Sequence, residues 1–366
     1  MGNNIPQGYK ATALGIIPQE WKTIRLKDCF SISAGGDVQK DCFSEAPSLQ
    51  YKYPIYSNSL FNHGLYGFTS HPRHKANSIT ITGRGALGHA EYREIDFDAI
   101  VRLLVLAPKI PLNGQYITEY INFRKPFFYE STGVPQLTAP QIANIQVLFP
   151  PLGEQRKIAE VLGVWDEAIE KQARLIEKLA LRKRGLMQRL LSAKLRLPGF
   201  SEPWKIHKLQ ELFTERNETN RTDLPLLSIT GDRGVILQTE SEKRDTSNDD
   251  KSKYKRIAKG DIGYNTMRMW QGRSALSGLE GIVSPAYTIV VPNTDVDGYY
   301  MSVLFKQPRL IYDFWTHSQG LVGDTLNCKY RDFGQVHICC PPLAEQKAIT
   351  EVLTAADREI ELAKDL

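Results

Sequence analysis

The side chains of this chain that could do chemistry are mostly basic, amide and aromatic, and they gather in three stretches. The first stretch supplies Lys52, Asn58, His71, Arg73, His74, Lys75 and Arg84, the second Lys251, Lys253, Lys255 and Arg256, and the third Asn265, Arg268, Trp270 and Arg273. Lysine and arginine contact phosphates, while arginine and asparagine also pair with the edges of bases. We therefore treat these residues as candidate contacts to nucleic acid.

Each of these stretches also has an ordinary structural interpretation. Aromatic side chains in a mixed domain more often belong to the core than to a binding surface. The charged segment from Glu240 to Arg256 also fits a solvated surface loop. The segment from Gly260 to Arg273, interpreted as a turn followed by a strand, can also stabilise its own domain. The sequence leaves these alternatives open and does not show which bases are contacted.

Known catalytic motifs are missing from the sequence. It contains no glycine-rich dinucleotide or phosphate loop and no HExxH zinc motif. The segments Phe149–Leu152 and Cys340–Leu343 contain the two prolines of an adenine-methyltransferase tetrapeptide, but lack its polar first and aromatic fourth residue. His71 and His74 have no neighbouring cysteine or carboxylate cluster that would complete a metal site. We therefore expect no catalytic residue and no metal site.

The composition points to a soluble protein of the cytoplasm. The net charge is +5 and the isoelectric point about 8.8, which permits nucleic acid as a partner. The five cysteines form no CxxC pair, which favours free thiols in a reducing compartment. The first residues lack the apolar core of a signal peptide, and the most apolar window, Ala99 to Ala107, is too short to span a bilayer, so we expect a cytoplasmic chain.

The elements that position these residues are organised around a long helix that begins after Pro150 and Pro151. Apolar residues recur there three and four positions apart and predict a seam that packs against a partner helix. The seam positions are Ile158, Leu162, Trp165, Ile169, Ile176 and Leu179. The periodic pattern extends to about Leu195, and about 40 residues of helix would make a rod of roughly 60 Å.

The helix is repeated at the other end of the chain. The segment Pro341–Leu366 aligns without gaps on Pro150–Leu175, and both begin with the pattern PPLxEQ. The repeat places Ile349, Leu353, Ala356 and Ile360 at the positions of the first four seam residues. The pair Trp21-Lys22 recurs in the same way as Trp204-Lys205. The chain is therefore an internal duplication of a domain followed by a helix.

These repeated residues resemble the specificity subunit of Type I restriction–modification enzymes. The resemblance rests on the two PPLxEQ helices and on the segment LPGFSEPW at Leu197–Trp204. It implies that each domain is a target-recognition domain for one half of a bipartite DNA sequence. It also implies that the two helices form an antiparallel pair, which sets the spacer between the half-sites and docks two methyltransferase subunits. Restriction and translocase subunits would join them in the full complex. AdoMet, ATP and magnesium would then belong to those partners, and this chain would bind no cofactor.

We accordingly predict an α+β chain with a pseudo-twofold internal repeat, in which two long helices form an antiparallel coiled coil. The boundaries are 1–149 for the first recognition domain, 150–197 for the central helix, 198–340 for the second recognition domain and 341–366 for the distal helix. The distal helix lacks a counterpart of Ile176–Arg196 and measures roughly 37 Å. The alternative function is a non-catalytic, two-headed scaffold that recruits proteins through its helices.

Overall fold

The computed structural model describes residues 5–124, 135–231, 233–241, 249–320 and 326–365. The chain divides into two compact units, Met1–Glu170 and Lys171–Leu366, and the division falls inside the central helix. The predicted domain boundaries at 149/150, 197/198 and 340/341 were placed at the ends of helices and strands, so they do not coincide with this division at 170/171. Within the described ranges, no helix is both long enough and apolar enough to cross a membrane.

The first unit is a mixed domain of short strands and short helices. Its strands are β1 (Tyr9–Thr12), β2 (Gly15–Pro18), β3 (Lys22–Arg25), β4 (Phe30–Ala34), β5 (Phe43–Ser44), β6 (Tyr53–Tyr56), β7 (Leu65–Thr69), β8 (Ser78–Ile81), β9 (Ala90–Arg93), β10 (Asp98–Ala99), β11 (Leu104–Pro108) and β12 (Gln146–Phe149). Its helices are α1 (Leu26–Cys29), α2 (Gly114–Arg124) and α3 (Ala139–Ala143), followed by the start of α4 (Leu152–Leu190).

The second unit repeats this plan after the end of α4. Its strands are β13 (Lys205–Lys208), β14 (Phe213–Glu215), β15 (Leu227–Ile229), β16 (Val235–Leu237), β17 (Lys255–Ile257), β18 (Ile262–Asn265), β19 (Ser274–Leu276), β20 (Gly281–Val283), β21 (Tyr287–Pro292) and β22 (His337–Cys340). Its helices are α5 (Leu209–Leu212), α6 (Gly298–Leu304), α7 (Pro308–His317), α8 (Tyr330–Gly334) and α9 (Leu343–Lys364).

The two units share one four-stranded sheet and one strand pair, whereas the further sheet β10-β6-β7-β5 of the first unit corresponds to the separate pairs β15-β16 and β17-β20 in the described part of the second. A four-stranded sheet has the order β4-β11-β8-β9 in the first unit and β14-β21-β18-β19 in the second. In both, a two-stranded antiparallel pair joins the strand after the tryptophan to the strand before the long helix, as β3 with β12 and β13 with β22. The internal duplication and the α+β class predicted from the sequence are thereby confirmed.

Two predicted helices are confirmed with their proline and glycine signals. The helix predicted at Ile117–Phe123 lies within α2, and the interrupted helix predicted over Tyr299–Phe314 is divided into α6 and α7. Pro308 occupies the first turn of α7, where a missing backbone N–H leaves no hydrogen bond unmade.

The central helix ends earlier than predicted. It stops at Leu190 rather than near Leu195, and Ala193 adopts a left-handed conformation with φ of 58°. The turn redirects the chain so that Arg196 faces the start of α9, where its guanidinium group meets Glu345. An ion pair formed after the turn thus replaces the last helical residues, and sequence periodicity alone does not reveal it.

The core of each unit lies between its four-stranded sheet and the adjoining helices. In the first unit the buried cluster is aliphatic, with Ile79, Ile81 and Leu106 on the sheet beneath Ile117 of α2. In the second unit the core is aromatic. Phe213, Tyr264, Phe305, Phe314 and Phe333 are fully buried there, and the ring centres of Phe333 and the other four lie 5.2–5.8 Å apart. The same topology is therefore packed with different side chains.

The PPLxEQ motif has a physical explanation in the first unit. The carboxylate of Glu154 accepts a hydrogen bond from the indole Nε1 of Trp21 at 2.8 Å. The fully buried side chain of Gln155 accepts from the backbone N–H of Asn113 at 2.9 Å and donates to the carbonyl of Pro150 at 2.9 Å. The motif thus joins the helix start to the entry tryptophan and to the loop before α2.

The second unit contains the same arrangement with one addition. Trp204 donates to Glu345 at 3.2 Å, while Gln346 accepts from the N–H of Asp297 and donates to the carbonyl of Pro341, both at 2.9 Å. Arg196 adds a two-pronged ion pair to Glu345, at 2.6 Å from Nε and 2.8 Å from Nη2. Because Glu345 is only 1% exposed, this charge depends on its partners.

The second half of α4 and α9 run antiparallel within the second unit. Gln172 contacts the carbonyl of Ala363, and Lys183 pairs with Asp357 nearer the start of α9. Arg182 likewise pairs with Glu359. Among the seam residues on these segments, Ile349, Leu353 and Ala356 are buried, and Ile176, Leu179 and Ile360 are half-buried.

The seam residues on the first half of α4 are in a different environment. Ile158 is half-buried against the core of the first unit. Leu162, Trp165 and Ile169 are 39%, 66% and 65% exposed. This half of the helix therefore presents a row of apolar side chains to solvent.

The addition of Arg196 predicts unequal costs for the same substitution at the two helix starts. We expect Glu345→Gln to lower the free energy of unfolding by about 3 kcal/mol, because it leaves a partly buried guanidinium group without its counter-charge. Glu154→Gln should cost about 1 kcal/mol or less, since an amide oxygen can still accept from Trp21. Hydrogen exchange of amides in 343–353 and 152–162 measures both effects. Equal loss of protection at the two sites would contradict this account of the ion pair.

Candidate nucleic-acid interface

One hairpin occupies the same place in the sheet of each unit. In the first unit it joins β8 to β9, and Ile81 pairs with Ala90 beside its tip. In the second unit it joins β18 to β19, and Tyr264 pairs with Ser274. Both β8 and β18 also pair antiparallel with the corresponding strand, β11 or β21. The register therefore makes the two hairpin tips equivalent.

Both tips carry basic side chains. In the first unit the tip contains Arg84 and His89, and in the second it contains Arg268 and Arg273. His89 and Arg273 occupy equivalent positions, since each immediately precedes the first residue of the returning strand. Arg84, Arg268 and Arg273 are exposed. Such side chains can contact phosphates or base edges.

The tip of the second unit lines a cleft of about 550 Å³. The polar and charged side chains on its wall are Ser228, Thr230, Arg233, Ser241, Asn265, Arg268, Gln271, Arg273 and Tyr287. Three arginines on one wall provide positive charge, while the amide and hydroxyl groups can distinguish hydrogen-bond donors from acceptors. The cleft is suited to an anionic, hydrogen-bonding ligand.

The strand expected to carry the third candidate stretch is shorter than predicted. It ends at Asn265, and the chain then forms a 3-10 turn at Met269–Gln271. Met269 is buried and anchors this turn, and Gly272 provides the left-handed residue, with φ of 71°, that ends it. A buried anchor within an otherwise polar segment explains why the segment turns here.

The turn brings together some of the candidates predicted from this stretch. Asn265, Arg268 and Arg273 all line the cleft. Trp270 does not line it, and its indole donates to the carbonyl of Met267 at 3.0 Å. Trp270 therefore stabilises the turn.

Sequence reasoning missed six of the polar and charged cleft residues: Ser228, Thr230, Arg233, Ser241, Gln271 and Tyr287. Arg233 lies between β15 and β16, and Gln271 lies in the 3-10 turn. The sequence signal for Arg233 was its place between two glycines, Gly231 and Gly234, that separate two short apolar runs.

The charged second stretch is mostly engaged with its own domain. Arg256 pairs with Glu218 at 2.8 Å and with Glu280 at 2.6 Å. The ammonium group of Lys255 lies 3.9 Å from the carboxylate of Glu215. The ammonium group of Lys251 lies 5.2 Å from the ring centre of Tyr254. Lys253 is exposed. Residues 242–248 of this stretch lie outside the described residues. In our account Arg256 holds its loop rather than contacting a ligand.

In the first unit Asn58 positions the hairpin tip. Its Oδ1 accepts from the backbone N–H of Gly83 at 2.7 Å and of Arg84 at 3.3 Å. Its Nδ2 donates to the carbonyl of Val101 at 2.7 Å. One amide therefore ties three loops together, and its polar atoms are used within the domain.

The Val101 loop adds a basic residue that sequence reasoning did not single out. Val101 and Arg102 have φ of 52° and 59°, a region that costs free energy for side chains with a Cβ, more so for a β-branched one. The loop is held by hydrogen bonds from the Val101 and Arg102 N–H groups to the carbonyls of Gly36 and Gly35. Arg102 is exposed. Its backbone carbonyl oxygen would lie 3.2 Å from a Cβ added at Gly83, so Arg102 lies beside the tip that carries Arg84.

Several other candidates of the first stretch are used in the structure itself. Arg73 donates to the buried Asp98 at 2.7 Å, and His74 stacks on Phe97 with ring centres 5.3 Å apart. Burial lowers the pKa of His74; the charge of Asp98 opposes this effect and that of Arg73 adds to it. We therefore assign Arg73 and His74 structural roles.

The remaining candidates of that stretch lie at the surface. Lys75 pairs with Asp96 at 2.9 Å but is 83% exposed, so it can exchange this partner for a phosphate. Lys52 lies over the ring of Tyr53 at 5.0 Å, and His71 contacts the hydroxyl of Ser70 at 2.9 Å. Within the described ranges, no group of three or more His, Cys, Asp or Glu residues is placed to hold a metal ion.

The fold repeats one sheet with a basic hairpin tip, and sequence comparison shows which known proteins the chain resembles. Residues 18–180 match the family model described as the Type I restriction modification DNA specificity domain. The match covers most of the first unit and most of α4, and over this part of the chain it confirms the resemblance predicted from the PPLxEQ repeat.

Three relatives show how far the likeness extends. A Mycoplasma pneumoniae protein named as a type I specificity subunit is 33% identical over 145 residues, which is 39% of either chain. A Methanocaldococcus jannaschii protein named as the MjaX type I specificity subunit is 24% identical over 404 residues, covering 98% of this chain and 92% of that one. Another M. pneumoniae specificity subunit is matched over 48% of its length. The chain therefore matches less than half the length of either M. pneumoniae relative.

Solved structures support the same fold. The S subunit of a Type I restriction–modification system from M. genitalium has a TM-score of 0.61 at 14% identity, with 100% of this chain and 93% of that one covered. A chain from work on the complex assembly and conformational transition of the type I R-M system has a TM-score of 0.55 at 16% identity, over 95% and 93%. At these identities the likeness concerns the fold.

Proposed function

We propose that this chain is the DNA-specificity subunit of a Type I restriction–modification complex and that each mixed domain binds one half of a bipartite target. The observation that carries the proposal is a repeated frame with unlike basic tips. The sheet order and the helix clamp are the same in both units, whereas the equivalent hairpin tips carry different side chains. Two similar frames with different tips are suited to two different half-sites.

The two tips also suit the two tasks of DNA recognition. Exposed arginine and lysine side chains neutralise phosphates and fix the position of the protein on the duplex. Amide, imidazole and guanidinium groups held at fixed positions can read base edges in the major groove. The cleft beside Arg268 and Arg273 offers both kinds of group.

In this proposal the chain is not catalytic. It supplies position and sequence selection, and AdoMet, ATP and magnesium bind to methyltransferase and restriction subunits. The helices set the spacer between the half-sites. The complex acts in the cytoplasm, where its DNA is found.

The methyltransferase subunits, two in our proposal, need a docking surface, and the first half of α4 offers one. Its exposed apolar side chains are Val161, Leu162, Val164, Trp165 and Ile169. A continuous row of apolar groups on a helix is typical of a protein-binding surface rather than a solvated one. Trp165 is the largest of these side chains, and tryptophan frequently dominates the binding energy of interfaces.

DNA binding is tested by neutralising the tip of the second unit. We expect Arg268→Ala and Arg273→Ala each to weaken binding to duplex DNA about 10-fold, because each removes a phosphate or base contact. Loss of a phosphate contact should also reduce the slope of log affinity against log salt concentration by about 1. Fluorescence anisotropy with labelled duplex, measured over a series of salt concentrations, gives both quantities.

Arg331→Ala is the matched control, since it makes the same charge change on α8 outside the cleft. Equal weakening by all three variants would mean that net charge alone drives binding. If the wild-type chain with its partner subunits bound no DNA at low salt, the scaffold alternative would replace this proposal.

Partner docking is tested on the exposed part of α4. We expect Trp165→Ala to weaken assembly with the methyltransferase subunit about 30-fold, the effect of losing a dominant tryptophan from an interface. Trp315→Ala on α7 removes another tryptophan that is 48% exposed and should leave assembly unchanged. Calorimetric titration measures both affinities. Unchanged affinity for the Trp165 variant would place the docking surface elsewhere.

A further inference from the structure

Two histidines of the first unit share a single carboxylate oxygen. Nδ1 of His63 lies 3.2 Å and Nε2 of His89 lies 3.0 Å from Oε1 of Glu91. An ionised carboxylate only accepts hydrogen bonds, so each ring must donate through the nitrogen that faces Glu91. The other ring nitrogens, Nε2 of His63 and Nδ1 of His89, remain available for a ligand.

The pair lies where the equivalent hairpin of the second unit has its cleft arginine. His89 matches Arg273 in the register of the two sheets. The backbone N–H of His89 also donates to the hydroxyl of Thr82 at 2.9 Å, which closes the hairpin tip. His89 therefore stands at the position of a cleft-lining side chain but presents an imidazole instead of a guanidinium group.

The loop that carries His63 is held in an unfavourable conformation. Asn62 and His63 both have positive φ, at 47° and 53°. Non-glycine residues adopt this region only where the surroundings enforce it. Here the Ser57 N–H donates to the carbonyl of Gly64 at 2.8 Å, and Asn58 of the same loop accepts from the N–H of Gly83 at the hairpin tip. The loop thereby brings His63 to the hairpin.

The charges around the pair keep Glu91 ionised. Burial raises the pKa of Glu91, but hydrogen bonds from His89 and His63 and the charge of Arg93 outweigh burial and lower it. Arg93 is itself buried, with its guanidinium group over the ring of Tyr56 at 3.7 Å. Glu119 of α2 also faces His89, and its pKa is raised by burial and by Asp166.

The histidines themselves stay accessible. The side chain of His63 is 77% exposed and that of His89 is 41% exposed, while that of Glu91 is 25% exposed. The carboxylate is thus set behind the two rings and fixes their orientation. This is the arrangement expected of a positioning residue behind two contact residues.

We propose that His63 and His89 are specificity-determining residues of the first domain and that Glu91 positions them. This inference rests on the proposed DNA-binding function. With one nitrogen donating to Glu91, a neutral ring offers its other nitrogen as an acceptor. That acceptor suits the exocyclic amino group of adenine or cytosine in the major groove.

Selection from a pool of random-sequence duplexes tests the inference, using the full chain assembled with its methyltransferase subunit. We expect one half-site to contain adenine or cytosine at the positions contacted by the rings. His89→Ala should reduce the preference there about 10-fold, the effect of losing one base contact, and should leave the other half-site unchanged. His63→Ala, a change at a more exposed position, is a second variant should His89→Ala impair folding.

Two Glu91 variants distinguish a positioning role from a purely structural one. Glu91→Ala removes the shared hydrogen-bond acceptor of both rings, so the base preference at those positions should fall. Glu91→Gln keeps an acceptor oxygen and should retain the preference. His207→Gln on β13 makes a comparable change in the second unit and should alter neither half-site.

Two negative results have different meanings. If two half-sites were recovered and neither changed in the histidine and Glu91 variants, this inference would be overturned while the proposed function stood. If no sequence were selected by the wild type, the proposed function itself would fail, and this inference with it.

Discussion

Each half of this protein depends on a glutamine amide buried at the start of a long helix. Gln155 and Gln346 each donate to the carbonyl of the motif's first proline. Each also accepts from the backbone N–H of the residue just before an earlier helix of its unit, α2 or α6. A buried amide is costly unless its donor and acceptor are both satisfied, so these contacts fix the angle at which the helix leaves the domain. The preceding strands, the entry tryptophan and the sheet are positioned relative to that junction.

A fixed junction leaves the hairpin tips free to differ. The tips belong to the four-stranded sheets, whereas the helix starts follow the separate strand pairs β3-β12 and β13-β22. Changes in the tip side chains therefore need not disturb the helix start. His89 and Arg273 illustrate this, since they share a register position but offer different chemistry. The buried cores differ as well, aliphatic in one unit and aromatic in the other. The duplication thus preserved the frame and its polar contacts more closely than the packing.

The repeat, the class and several helices could be predicted from the sequence because their signals are local. The PPLxEQ motif marks a helix start, and Pro308 marks the first turn of α7. The functions of Asn58, Arg73 and Arg256 could not be predicted, because their partners lie elsewhere in the chain. Arg73 meets Asp98 and Arg256 meets Glu280 only after the sheets form. Composition could not separate such internal pairs from surface cations.

The histidine pair was missed for the same reason. His63 and His89 are 26 residues apart in the sequence. The carboxylate that joins them, Glu91 on β9, meets His63 only after the loop and the hairpin have folded together. Hydrophobic periodicity overestimated the length of α4, since the helix ends where Arg196 must turn back to Glu345. In both cases a long-range polar contact decided the local structure.

The measurement that tests the central claim most directly is selection of DNA by the wild-type chain assembled with its cognate methyltransferase subunit. Bound duplexes from a random-sequence library would be sequenced. Our account predicts two short fixed blocks of different sequence, separated by a constant unspecified gap. A stable assembly that selects no sequence would contradict it, and a palindrome would contradict the assignment of different half-sites to the two domains.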